Sequence, residues 1–204
     1  MLDNSKKNIR KEACWTLSNV TAGTADQIQS VINADVFPKL IELLRSSEFD
    51  IQKEAAWAVS NATSGGSPEQ IIYLVQQGAI PPLCQLLTVA DIKVMTVALE
   101  GLENILKASQ ATQNVEIFDR VVGIISEAGG LNAIEELQNH ENQGVYQRAV
   151  KMLETYFGGE EEEESTAIVP DGVQQDGMQQ FAFGGNMGGQ GGLPPPPPGG
   201  FRFG

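Results

Sequence analysis

The chain has 204 residues, 13 of them basic and 26 acidic, for a formal net charge of -13 at pH 7. That length allows one domain or a short repeat array with a tail. The acidic balance argues against nucleic acid and membrane surfaces as partners and favours basic ones. No apolar run is long enough to span a bilayer, and "MLDNSKKNIRKEA" lacks the apolar core of a signal peptide.

The first predicted element is a helix. In Ile9–Val20 the apolar residues Ile9, Ala13, Leu17 and Val20 recur at i, i+4, i+8 and i+11, one helical face. The stretch "EACWTLSNVTAG" (Glu12–Gly23) returns 42 residues later as "EAAWAVSNATSG" (Glu54–Gly65). Between the two copies lies "VINADVFPKLIELL" (Val31–Leu44), which returns 43 residues on as "LVQQGAIPPLCQLL" (Leu74–Leu87). Pro38 then falls on Pro81, Leu40 on Leu83 and Leu44 on Leu87. Gly23 and Gly65-Gly66 read as helix stops, and Asp26 and Ser67-Pro68 as restarts. A third, weaker copy begins at Asp91 and brings Asn104 onto Asn61. A fourth runs over Ile124–Phe157. Strand alternation is absent, so each unit reads as a short helix, a second helix and a longer third one.

Periods of about 40–47 residues built from two or three helices identify HEAT or armadillo repeats. The expected fold is all-α: an armadillo-repeat right-handed superhelical solenoid of about three and a half repeats. The boundaries are a partial repeat at 1–23, then 24–66, 67–110 and 111–158. After Phe157 the composition shifts to "GGEEEEE" and then to Gly/Gln-rich sequence ending "LPPPPPGGFRFG". Residues 159–204 cannot bury enough apolar area to offset chain entropy and are expected to be a disordered tail.

The chain has two tryptophans, and the repeat puts both at one position. Glu12, Trp15 and Asn19 are spaced i, i+3 and i+7, so they share a helix face that is not the face of Ile9, Ala13 and Leu17. Glu54, Trp57 and Asn61 repeat that face. A tryptophan flanked by Glu and Asn is badly placed for a core. Stacked third helices would instead line a concave surface with two Glu/Trp/Asn rows. A carboxamide can pair with an extended backbone, and indole faces take the stem and charge of Lys or Arg. The pattern therefore predicts a site for an extended, Lys/Arg-rich peptide. In the third copy Val97, Glu100 and Asn104 stand at the Glu, Trp and Asn positions. The tryptophan array should end at the second row, with Glu100 and Asn104 at its edge.

"KKNIRKEACWTLSNVTAG", "QKEAAWAVSNATSGG", "LEGLENIL" and "SEAGGLNAIEELQNHEN" resemble the C-terminal armadillo repeats of the importin-α family over about residues 4–164. The resemblance implies a nuclear-import adaptor that binds nuclear localisation signals of cargo proteins in its groove, moving between cytoplasm and nucleus. The two tryptophan rows look like the family's minor site. Glu12, Trp15, Asn19, Glu54, Trp57 and Asn61 match motif positions there, and Ser18 and Ser60 match as well. The family's early repeats, with the major site, and its N-terminal importin-β-binding segment have no counterpart in this sequence. An importin-β contact is expected only where that segment is present. The last repeat, around Asn139–Asn142, and Glu160–Glu164 resemble the docking place of the export receptor. The alternative reading is accordingly a scaffold that docks that receptor without productive signal binding.

No enzyme, cofactor or metal site is expected. His140 is the single histidine, and Cys14 and Cys84 lack a CxxC partner or a neighbouring His. Both cysteines read as buried free thiols. The sequons at Asn19 and Asn61 have no secretory signal to make them acceptors. Pro194–Pro198 reads as a stiff spacer. Phe183-Gly184 and Phe203-Gly204 echo nucleoporin Phe-Gly pairs.

Overall fold

A computed structural model describes residues 1–46 and 48–158. The expected disorder of 159–204, the Glu160–Glu164 run, the proline run and the Phe-Gly pairs lie outside the described residues.

Among the described residues the chain forms ten α-helices and no strand. A single third helix comes first, α1 (Lys7–Thr21). Two three-helix units follow: α2 (Ala25–Asn33), α3 (Phe37–Ser46) and α4 (Phe49–Gly65), then α5 (Pro68–Gln76), α6 (Ile80–Gln85) and α7 (Ile92–Ala111). The last unit is α8 (Val115–Glu127), α9 (Gly130–Glu136) and α10 (Gln143–Met152), which continues as a π turn over Leu153–Phe157. The third helices form a ladder, with α1 packed on α4, α4 on α7, and α7 touching α10.

Local chemistry sets the helix starts. Asp26 does not begin α2. Thr24 does: its hydroxyl accepts from the Gln27 N–H at 3.4 Å, and Gln27 Oε1 accepts from the Thr24 N–H at 2.8 Å. This reciprocal box satisfies two otherwise orphaned donors, and Asp26 occupies the first turn beside it. Ser67 and Gln70 repeat the box at α5, with Pro68 in its first turn. Asp91, Asn114 and Asn142 cap α7, α8 and α10. The turn between the first and second helix of each unit holds a left-handed residue: Asp35 (φ 51°), Gly78 (φ 84°) and Gly129 (φ 74°). Glycine is the low-cost occupant of that conformation, and the aspartate tolerates it.

The predicted register is visible in the core. Ile51, Ala55, Val59 and Ala62 of α4 are fully buried, beneath the packed α3. Their counterparts one repeat earlier, Ile9, Ala13, Leu17 and Val20, are not; Ile9 is 36% exposed and the other three are half-buried. Ile9, Ala13 and Leu17 line an open groove of about 770 Å³ with Leu2 and Val36. The segment before α1 folds toward this groove. Asp3 pairs with Lys39 at 2.6 Å, and Arg10 Nη1 donates to the carbonyls of Asn4 and Ser5. Backbone amides under thin cover open more readily. We expect amide hydrogens of Ala13–Leu17 to exchange well before those of Ala55–Val59. Equal protection at the two sites in a monomer would contradict this.

Cys14 and Cys84 are buried and unpaired, as the sequence implied. Burial pushes the Cys14 thiol up to about 11 and the Cys84 thiol up to about 12, so neither is a nucleophile near neutral pH. No helix among the described residues is long and apolar enough to cross a membrane.

Candidate functional site

The tryptophans sit on neighbouring third helices, and neither is in the core. Trp15 on α1 is 53% exposed and Trp57 on α4 is 39% exposed. Helix periodicity explains this: the face that buries Cys14, Ser18 and Thr21 against α4 is turned away from Trp15. Glu12 is exposed and Glu54 is half-buried. Trp15, Glu12 and Glu54 line one depression of about 330 Å³, with Lys11 on its wall. An indole face and two carboxylates thus border a single surface recess. Aromatic carbon there can pack a long aliphatic stem, and the carboxylates attract the charge at its tip.

The two serines are placed elsewhere. Ser18 and Ser60 are 7% and 3% exposed, in the seams between third helices rather than on the open face. Ser18 Oγ donates to the Trp15 carbonyl at 2.8 Å, a bond within its own helix. Ser60 lies against Gly101 of α7. Small side chains at this position let adjacent helices approach closely.

The asparagines divide. Asn19 is exposed, and its carboxamide makes no hydrogen bond among the described residues. Asn61 Nδ2 donates to the Ser18 carbonyl across the α1/α4 seam at 3.0 Å. Asn104 Nδ2 donates to Thr63 Oγ1 at 3.2 Å and to Ser64 Oγ at 3.0 Å across the α4/α7 seam. Each of these two carboxamides leans on the preceding third helix, which ties the rows together. Asn61 keeps its carbonyl oxygen and a second N–H without a partner among the described residues. Asn104 sends its amide to α4.

At the third row Glu100 is already paired. Arg148 of α10 pairs with it at 3.0 Å and with Glu103 at 3.2 Å. The structure thus brings Glu12, Trp15 and Glu54 to one recess, leaves Trp57 exposed at the equivalent position of α4, ties Asn61 to α1, and pairs Glu100 of α7 with Arg148. Lys11, Glu103 and Arg148 are additions that sequence spacing did not single out. Only the i, i+3 spacing of Glu100 and Glu103 hinted at a carboxylate pair.

His140 is half-buried in the turn before α10, where its Nδ1 accepts from the Asn142 N–H at 3.0 Å. Among the described residues no group of three His, Cys, Asp or Glu side chains could hold a metal ion.

Comparison with known proteins agrees with this architecture. The armadillo/beta-catenin-like repeat family matches residues 24–64 and 67–107, and the atypical Arm repeat family matches 119–171. A designed armadillo repeat protein in complex with the peptide (KR)4 has 34% sequence identity and a TM-score of 0.63, with 76% of this chain and 61% of that chain covered. Importin subunit alpha-4 of Arabidopsis thaliana is 51% identical over 189 residues, which is 91% of this chain and 35% of that protein. Importin subunit alpha-1b of Oryza sativa is 51% identical over 159 residues, 77% of this chain and 30% of that protein. The yeast importin subunit alpha is 44% identical over 122 residues, 59% of this chain and 22% of that protein.

The stacked three-helix units and the ladder of third helices define an armadillo-repeat protein. Half of the aligned residues are shared with the plant proteins through consecutive repeats, and the chain belongs to the importin-α family. It spans about a third of the length of these curated relatives.

Proposed function

We propose that the face formed by α1 and α4 captures extended, Lys/Arg-rich peptides of the nuclear-localisation class. In this reading the chain is the signal-binding segment of a nuclear-import adaptor that works between cytoplasm and nucleus. The observation that carries the reading is the pair of exposed indoles at one repeat position, with Glu12 and Glu54 beside Trp15. A core role for these rings is hard to square with that exposure. The designed armadillo protein that binds (KR)4 adds support, because an alternating Lys/Arg peptide has the chemistry this face suits.

The ligand's cationic side chains lie against the indoles, each contact contributing about 0.5–2 kcal/mol. Its backbone meets the amides of Asn19 and Asn61, with a net gain of about 1 kcal/mol per hydrogen bond. Few contacts of this modest size, set against the cost of ordering the peptide, make the complex a weak one, in the micromolar range that corresponds to about 8 kcal/mol. Anisotropy of a labelled Lys/Arg peptide should therefore give saturable micromolar binding. Raising the salt from about 0.05 to 0.5 M should weaken it several-fold, because the carboxylates act partly through solvent. Binding that ignores salt, or that persists when the peptide's Lys and Arg are replaced by alanine, would overturn the reading.

A further inference from the structure

We propose that Glu100 and Glu103 form a third cation subsite of this groove and that Arg148 fills it in cis, so that the chain itself sets where a bound peptide ends. The inference rests on the peptide-binding reading above.

Three observations lead to it. Glu100 stands 43 residues after Trp57, at the same repeat position, so it belongs to the next row of the same face. Glu103 follows at i+3 on the same helix and reaches the same side. Arg148 spans the two carboxylates with separate nitrogens, Nη2 to Glu100 Oε1 at 3.0 Å and Nη1 to Glu103 Oε2 at 3.2 Å. A guanidinium fork across two carboxylates is the arrangement a ligand arginine would adopt there. Lys151 adds a second cation, 3.7 Å from Glu103 Oε1.

Arg148 is not needed to hold α10 in place. Val145, Ala149 and Met152 of the same helix are essentially fully buried and supply the packing. The Arg148 side chain keeps 31% of its surface exposed, and Glu100 keeps 39%. Ion pairs this open contribute little to stability, because water screens them. Their larger effect is on a visiting cation. A peptide running past the second tryptophan row meets a positive guanidinium where it would otherwise meet the Glu100 carboxylate and a Glu103 that only Lys151 approaches, at 3.7 Å. A lysine or arginine placed there gains nothing unless it displaces Arg148.

The same cluster explains why the face changes character at α7. The first two rows offer indoles with open carboxylates beside them; the third offers a carboxylate pair already neutralised. Removing Arg148 should convert that stop into a subsite and lengthen the footprint of the peptide.

The test compares two probes: a short peptide with a Lys-Arg-Lys-Arg core between Gly/Ser flanks, and the longer alternating peptide (KR)4. Each is titrated into the wild-type chain, Arg148→Met and Lys107→Ala. Lys107 is an exposed lysine on α7 that takes no part in the Arg148 pairs; its removal changes net charge equally and leaves both pairs in place. In the wild type the two probes should bind within about twofold of each other, since the extra basic residues find no free partner. In Arg148→Met the longer probe should gain about tenfold while the short one moves less than twofold. Adding Glu100→Gln and Glu103→Gln to Arg148→Met should erase that gain. Should Arg148→Met melt below the assay temperature, Arg148→Lys, which loses the fork, should show a smaller gain of the same sign. An equal gain for the longer probe in wild type and Arg148→Met, or the same gain in Lys107→Ala, overturns the proposal alone. Absence of binding by either probe to any form overturns the peptide-binding reading and this proposal together.

Discussion

Replacing Trp15 and Trp57 together by alanine is expected to abolish binding of Lys/Arg-rich peptides and to leave the fold intact. Both halves of that expectation come from exposure. The rings are 53% and 39% exposed, so truncating them removes mainly surface that already faces water. Truncating a buried tryptophan typically costs about 3–5 kcal/mol; these should cost far less. The loss in binding is large by comparison. Two cation–π contacts at about 0.5–2 kcal/mol each, and the apolar packing of the ligand stems, are most of what separates a micromolar complex from none. Thermal melts beside peptide titrations check it. An unfolded double mutant, or a folded one that still binds, would contradict the assignment.

Phe37→Ala should do the reverse. Phe37 opens α3, is fully buried, and meets Tyr73 of α5 edge-on with ring centroids 6.3 Å apart. Its removal leaves a cavity between two consecutive units and should cost about 3–5 kcal/mol. A fall in Tm on the order of 10 °C is expected for a domain of this size. Below the transition, peptide binding should persist, since no groove residue is altered. A shift of only one or two degrees would mean that the unit boundary collapses around the missing ring.

The contrast between these aromatics was open to sequence reading, and the reason is periodicity. Trp15 and Trp57 carry Glu at i−3 and Asn at i+4, and a helix cannot bury that stripe. Ile51, Ala55 and Val59 form the opposite pattern and are fully buried. The incomplete cover over Ile9, Ala13 and Leu17 followed from the same register, because their counterparts on α4 lie under α3 of the same unit.

Other features lay below what periodicity resolves. Ser18 and Ser60 each precede a groove asparagine by one residue, a rotation of about 100° around the helix. That rotation carries them from the groove edge into the seam, and only the packed neighbours decide which side they take. Asp26 lies inside the first turn of α2 and does not begin it; the Thr24 and Gln27 of "TADQ" form the capping box that sets the start, with the N-cap two residues earlier. Asn61 and Asn104 spend donors on the preceding helix, a matter of rotamer and interhelical distance. The Arg148 cluster joins residues of α7 and α10 more than forty positions apart, and no spacing rule connects them.

In the proposed complex the two indoles touch the peptide. The chain holds only two tryptophans, and both lie on this face, so its intrinsic fluorescence reports on the site without a label. Titrating an unlabelled (KR)4 peptide should change the tryptophan emission saturably, with a micromolar midpoint that rises with salt and matches the anisotropy curve. Calorimetric binding of the same peptide with no change in tryptophan emission would place the ligand elsewhere and contradict the account.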